Sequence, residues 1–230
     1  MRYKHIFFDL DHTLWDFDKN AEETLNELYH LHGLKELGLH SVDLFIQNYT
    51  ANNYKLWADY HLGKISKQVL RETRFTTTFL EMGVCPKSIP VDFEIDYVRI
   101  CPTKINLFPQ AHNTLKYLTG KYELHLISNG FSESTEIKIT NTNLAQYFST
   151  VVISERVGFN KPNKAIFEFA LKGACASKDE SVMIGDSLEA DIRGALNFGM
   201  SAIYFNPHLK EKPSDVKFQI SELKELMHLL

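Results

Sequence analysis

From residue 110 onward the chain alternates between helical segments and short apolar runs, and this rhythm constrains the fold more than any other feature. Helical spacing at 110–118, 133–143, 163–172 and 188–198 alternates with strand-like runs at 123–127, 151–153, 181–184 and 202–205. Such alternation predicts an open, doubly wound parallel sheet. Ile6-Phe7-Phe8 adds a first strand, apolar without alternation as suits a strand covered on both faces. Residues 16–105 read differently. Helical periodicity covers 18–37, with Ala21, Leu25, Leu28 and Leu31 on one stripe, then 42–60, 69–82 and, more loosely, 92–100. The expected fold class is therefore α/β: a Rossmann-like core of residues 1–15 plus 106–230, with an α-helical insert, 16–105, seated over the sheet after the first strand. A closing helix at 221–229 is expected to open on Ser221 and Lys224, a Ser-x-x-Lys variant of the capping box.

Composition narrows the function classes. With 230 residues and 44% of them hydrophobic, the chain can bury a large core, which excludes disordered and low-complexity classes. Lys and Arg number 25 against 29 Asp and Glu, a formal charge of −4, so the basic excess of a nucleic-acid surface is missing. An anionic small substrate then needs local positive charge or a bound cation. No run of about 18 apolar residues suggests a membrane span, and the short apolar run before Asp9 and Asp11 does not read as a secretory leader. Cys85, Cys101 and Cys175 are odd in number and form no Cys-x-x-Cys, as expected of reduced thiols in a cytoplasmic protein. Nothing in the residues sets an oligomeric state.

In an open parallel sheet, ligands bind beyond the carboxyl ends of the strands, where strand order reverses. Four patches fall at such ends or in the loops after them: Asp9-Leu10-Asp11-His12-Thr13, Ser128-Asn129-Gly130, Lys161-Pro162, and Gly185-Asp186-Ser187 with Asp191 beyond. Brought together, Asp9, Asp11, Asp186 and Asp191 repel, each like-charge pair at ~4 Å costing about 4 kcal/mol at an effective dielectric of about 20. Such a cluster needs a cation or a protonated member. Mg2+ suits it, as a hard ion that takes oxygen ligands from one or two carboxylates, waters and a phosphate. With Asp11 protonated, the remaining carboxylates are matched by Mg2+ and Lys161.

A phosphoryl group completes the arrangement, because its transfer asks for an in-line nucleophile, an acid for the leaving oxygen, and positive charge around the equatorial oxygens. Asp9 is the expected nucleophile, forming an acyl phosphate that water then hydrolyses. Asp11 is expected to protonate the leaving oxygen and later deprotonate the attacking water, a role for a carboxyl able to hold a proton. Ser128, the Asn129 amide and Lys161 are expected to hold phosphate oxygens, and Asp186, supported by Asp191, to ligate the metal.

The same residues carry plainer readings. Asp186 beside Ser187 also reads as a helix cap, Asp191 as an acid favoured by the helix dipole, and Lys161 as a solvated lysine ahead of a helix with proline at its first position. Ser128 lacks the Gly-x-Ser-x-Gly surround of a nucleophilic serine, and the ten histidines show no zinc-ligand spacing. Phe17, Trp57, Tyr60 and Phe75 read as helix-packing core ahead of a base-stacking platform. Arg71 and Arg74 read equally as surface charge or substrate contacts. A phospho-accepting, receiver-like signalling domain uses similar residue types on a similar sheet, but it is about half as long and carries no large insert.

Taken as a set, the four patches resemble the four motifs of the haloacid dehalogenase superfamily. That resemblance implies the roles assigned above and adds the backbone carbonyl of Asp11 to the metal ligands, so the implied metal set is Asp9, Asp11 and Asp186. The second acid, Asp11, marks the phosphatase branch, and an insert straight after the first motif is similar to the superfamily's helical cap. Over roughly residues 1–210 the chain further resembles the YjjG-like pyrimidine 5′-nucleotidases. Phe17-Asp18, Leu56-Trp57-Ala58-Asp59-Tyr60, Gly63-Lys64-Ile65-Ser66 and Thr73-Arg74-Phe75 carry this in the insert; Phe131, Ile153-Ser154-Glu155 and Asn163 carry it in the core. The implied function is a Mg2+-dependent phosphatase acting on a small phosphate monoester, a pyrimidine nucleoside monophosphate, including non-standard ones. A sugar-phosphate phosphatase or mutase of the same superfamily is the rival. His12 stands where many relatives carry glycine or another small residue.

Overall fold

A computed structural model of the chain describes residues 3–230; residues 1–2, with which the expected core segment begins, lie outside the described residues. The chain divides into two compact units, Met1–Phe17 with Ile105–Leu230, and Asp18–Lys104. In the first unit, β1 (His5–Phe8), β2 (Glu123–Ser128), β3 (Thr150–Ile153), β4 (Ser181–Gly185), β5 (Ser201–Phe205) and β6 (Phe218–Ile220) form one sheet in the order β3-β2-β1-β4-β5-β6. Every neighbouring pair is parallel. Ile6, Phe7 and Phe8 are fully buried, as a central strand covered on both faces requires. Phe7, Ile127 and Met183 on one face pack with Ile166, Phe167 and Ala170 of a helix at Lys164–Gly173. The strand order runs outward in opposite directions from β1 and β4, so the switch point lies at their carboxyl ends.

In the second unit, the four expected helices are α1 (Phe17–Leu31, whose first residue belongs to the core unit), α2 (Val42–His61), α3 (Lys67–Glu81) and α4 (Phe93–Ile100). Ser41 and Ser66 cap α2 and α3, each hydroxyl accepting a backbone N–H three residues on. Ala21, Leu25 and Leu28 are buried as the stripe predicts, but Leu31 is 60% exposed. The helix stops there, six residues short of the expected end, and the chain turns at Gly33 with φ +58°. Leu34 and Leu39, past the turn, are buried. The rings of Phe45, Tyr49, Phe75, Phe79, Phe93 and Tyr97 pack together. Arg74 is neither surface charge nor free for a substrate: it is buried, bidentate to Glu94 at 2.7 and 2.8 Å, with its guanidinium over Tyr97. No described helix is long and apolar enough to cross a membrane.

Returning to the core unit, α5 (Ala111–Thr119), α6 (Ser132–Asn141), α7 (Ser154–Val157), α8 (Lys164–Gly173), α9 (Gly194–Phe198) and α10 (Leu226–Leu229) complete the helices. Three differences from the sequence expectation stand out. The single helix expected at 188–198 begins instead as a π-helical turn, Leu188–Arg193. The last strand, β6, is absent from the expected rhythm because Phe218-Gln219-Ile220 is too short to register as an apolar run. The closing helix is shorter, a 3-10 turn Leu223–Glu225 leading into α10, and its capping box is Glu222 with Glu225 rather than Ser221 with Lys224. Glu225 accepts the backbone N–H groups of Glu222 at 2.7 Å and Ser221 at 2.8 Å, which a lysine at 224 cannot do.

Candidate active site

All four patches arrive at the switch point by the register of the strands. Asp9 follows β1 directly, its N–H bonded to the Ile184 carbonyl of β4 at 2.9 Å. Asp186 follows β4, and Ser128 ends β2 on the other side of β1.

Lys161 is the hub. It is 1% exposed; its ammonium donates to Asp9 Oδ1 at 2.5 Å and the Ile127 carbonyl at 2.7 Å, and it forms an ion pair with Asp191 Oδ1 at 2.7 Å. Helix α8 starts at Lys164 with Asn163 as its cap, so Pro162 stands outside the helix and the solvated-lysine reading does not describe this residue. Asn129 fixes Lys161 from behind: its Nδ2 donates to the Lys161 carbonyl at 2.9 Å and its Oδ1 accepts the Lys161 N–H at 2.8 Å. The side-chain amide of Asn129 is thus committed to the Lys161 backbone, which leaves its backbone N–H for the amide role expected on phosphate. Ser128, 1% exposed, accepts the Gly130 N–H on its hydroxyl at 3.0 Å.

Asp191 comes from the π-helical turn. Ser187 caps that turn, its hydroxyl accepting the Ala190 N–H at 3.1 Å, so Asp186 is not used as a cap. The wide turn lets the Asp191 carboxylate fold back onto the Ser187 N–H at 3.0 Å. A Cβ at position 185 would lie 2.2 Å from Asp191 Oδ2, which only glycine avoids. Asp186 Oδ1 accepts from the buried Thr13 hydroxyl at 3.3 Å.

Asp9, Asp186 and Asp191 each bring a carboxylate oxygen within 4.8 Å of the others. Burial pushes the Asp9 carboxyl up to about 7, with Lys161 pulling against it and Asp191 adding to it. Burial, then Asp9 and Asp191, push Asp186 well above the carboxylate range. Burial disfavours the Lys161 charge, but the Asp191 and Asp9 carboxylates outweigh it and hold the amine above its ordinary value. With all three carboxylates ionised, one ammonium among them leaves a double negative charge, and an all-oxygen set of this charge suits a hard divalent cation.

Asp11 stands apart from that trio. Its Oδ1 accepts from Lys138 Nζ at 2.6 Å, and Lys138, 5% exposed, lies over the Trp15 ring at 4.1 Å. Lys138 is not among the site residues expected from the sequence. Helix α6 is mostly polar, with Ile137 and Ile139 on either side of Lys138, and nothing in its pattern sets this lysine apart from a solvated one. The charge balance drawn from sequence therefore left out a cation, Lys138, which lies against Asp11 Oδ1. Thr13 and Gly185 were within quoted motifs but had no role assigned. His12, with φ +62°, occupies the left-handed region that favours glycine, which accounts for the small residues expected there.

Comparison with known proteins agrees with this geometry. The profile of the haloacid dehalogenase-like hydrolases matches residues 3–199. The chain is 34% identical to pyrimidine 5′-nucleotidase YjjG of Escherichia coli (strain K12), covering 100% of this chain and 99% of that protein. It is 32% identical to a glyceraldehyde 3-phosphate phosphatase of Methanothermobacter thermautotrophicus, covering 97% and 99%. Among solved structures, magnesium-bound HAD-hydrolase YfnB of Bacillus subtilis superposes with a TM-score of 0.85 at 27% identity, covering 100% and 99%. The chain belongs to the haloacid dehalogenase-like hydrolase family.

Proposed function

We propose that this hydrolase removes phosphate from pyrimidine nucleoside monophosphates, including non-standard ones, with Asp9 as the nucleophile. The observation that carries this reading is the placement of Asp9: a buried carboxylate at the tip of the central strand, sharing one lysine with a second carboxylate. Mg2+ held by Asp9, Asp186 and the Asp11 carbonyl would supply positive charge against the phosphate oxygens. Asp9 attacks phosphorus; as that bond forms, the bond to the ester oxygen breaks and Asp11 gives the departing oxygen a proton. The alcohol leaves, and Asp11, now a carboxylate, takes a proton from the water that attacks the acyl phosphate. Inorganic phosphate departs and Asp9 is restored. Lys161 turns its hydrogen bond with Asp9 to a phosphoryl oxygen, and the Ser128 hydroxyl and the Asn129 backbone N–H hold the others. The helical unit Asp18–Lys104, inserted in the chain after the first motif, is read as the family's cap.

Similarity to YjjG supports the nucleotide over other esters, while similarity to the glyceraldehyde 3-phosphate phosphatase favours a second reading, a small sugar phosphate. Steady-state kinetics with UMP, dUMP, dTMP, glyceraldehyde 3-phosphate and hexose phosphates decides between them. The expected result is many turnovers and the highest kcat/KM on a pyrimidine nucleotide. Higher kcat/KM on the sugar phosphates would reverse the assignment, and a single stoichiometric burst would remove the enzyme reading altogether.

A further inference from the structure

We infer that Lys138 is a positioning residue for Asp11, holding one carboxylate oxygen so that the other faces the leaving group. This rests on the acid-base role proposed above for Asp11.

The geometry is specific. Among the described residues of the core unit, two lysines are buried, Lys161 and Lys138. Lys161 serves Asp9 and Asp191, whereas Lys138 serves Asp11 alone, at 2.6 Å. Burying an ammonium is costly, and a lysine on a mostly polar helix has solvent as an easy alternative. Lys138 is instead fixed from two sides, by the Asp11 carboxylate and by the faces of Trp15 at 4.1 Å and Phe17 at 5.6 Å. Trp15 and Asp11 belong to one tight turn, closed by Leu14 and Trp15 N–H bonds to the Leu10 carbonyl, both 2.9 Å, and by His12 N–H to the Trp15 carbonyl at 2.9 Å. Helix α6 thereby grips the nucleophile loop through a ring and a carboxylate at once.

The two oxygens of Asp11 consequently differ. Oδ1 is held by Lys138, while Oδ2 has no hydrogen-bond partner among the described residues. Oδ2 borders the notch left by Gly130: a Cβ there would lie 2.8 Å from Thr135 Oγ1, 3.1 Å from Ser128 Oγ and 3.3 Å from Asp11 Oδ2. The unheld oxygen and the phosphate-binding hydroxyl therefore border one small space. Losing Lys138 frees the Asp11 side chain to rotate away from it, without touching Asp9 or its lysine.

A buried ion pair is weak evidence of function by itself, so the test separates positioning from folding. Lys138→Met keeps the apolar stem against Trp15, Lys138→Arg keeps the charge, and Lys138→Gln keeps a neutral donor should the methionine variant fail to fold. Each is compared with wild type on the best alkyl phosphate ester of the substrate panel and on p-nitrophenyl phosphate, whose leaving group needs little protonation. Lys138→Met and Lys138→Gln are expected to lose roughly 10- to 100-fold in kcat on the alkyl ester, with KM little changed and p-nitrophenyl phosphate turnover largely kept. Lys138→Arg is expected to recover most of the loss. In an Asp11→Asn background, Lys138→Met should cost nothing further. Equal losses on both esters, an additive loss with Asp11→Asn, or unchanged kinetics in a folded Lys138→Met each overturn the inference. Wild-type enzyme that turns over none of the esters would instead overturn the phosphatase reading on which it rests.

Discussion

Asp9 and Asp11, two residues apart on one loop, have different neighbours, and the difference predicts different mutant behaviour. Asp9→Asn keeps the size and most contacts of the side chain but removes the carboxylate proposed as nucleophile, so turnover should fall by on the order of 10⁴ or more, with circular dichroism unchanged. Appreciable residual activity would refute covalent catalysis by Asp9. Asp11→Asn should cost about 10²- to 10⁴-fold on alkyl phosphates and far less on p-nitrophenyl phosphate; matched losses would argue against an acid-base role. Gly185→Ala drives a Cβ to within 2.2 Å of the Asp191 carboxylate, so that carboxylate must leave Lys161. A destabilisation of about 1–3 kcal/mol in urea titrations, with loss of activity, is expected. Asp9, Asp11, Asp186 and Lys161 were legible as residue types at strand ends. The private partner of Asp11 was not, because a lysine buried by its neighbours looks in sequence like one in solvent.

At the scale of elements, strands were easier to read than helix ends. Each core strand but β6 showed as an apolar run, because both of its faces are buried. The π-helical turn Leu188–Arg193 left no such trace: it exists because Ser187 and Asp191 fold back on one another, a tertiary requirement that helical periodicity does not encode. Parallel register also joins residues that spacing keeps apart. His5 opens β1 and His125 is the third residue of β2, their Nδ1 and Nε2 3.1 Å apart, with Glu123 3.8 Å from His5 and the Phe7 ring stacked on His125. Burial first, and His5 second, lower His125 from 6.5 to about 4. The unfolded chain thus takes up this proton before the folded one, and the stability contribution, full above pH 6.5, declines as pH falls and is gone near pH 4. The loss is expected to reach up to about 3 kcal/mol, read from urea unfolding at stepped pH. His125→Leu should flatten that decline; an unchanged slope would locate the acid sensitivity elsewhere.

At the scale of the whole molecule, a divalent cation held on the carboxylate trio would tie metal binding to stability. Mg2+ at a hundredfold over its Kd should add about 2.7 kcal/mol to the folded state, raising Tm, and Asp186→Ala should abolish the increment. Chelation should abolish phosphate release and Mg2+ should restore it. A Tm indifferent to Mg2+ in wild type would mean that the double negative charge left by Lys161 is met some other way.

The order of apolar runs, helical stretches and acidic strand ends was enough to specify an α/β core interrupted by helices and to point to Asp9, Asp11, Ser128, Lys161 and Asp186. These properties are local: an apolar run reports a covered strand, and the carboxyl end of that strand is where its next residues emerge. Pairing was decided only in three dimensions. Lys161 divides its charge between Asp9 and Asp191, Asn129 turns its amide to the lysine backbone, and Lys138 reaches Asp11 from a helix 127 residues away in the chain. Which cation meets which carboxylate depends on distances of a few ångströms between distant segments, and no one-dimensional pattern carries that distance.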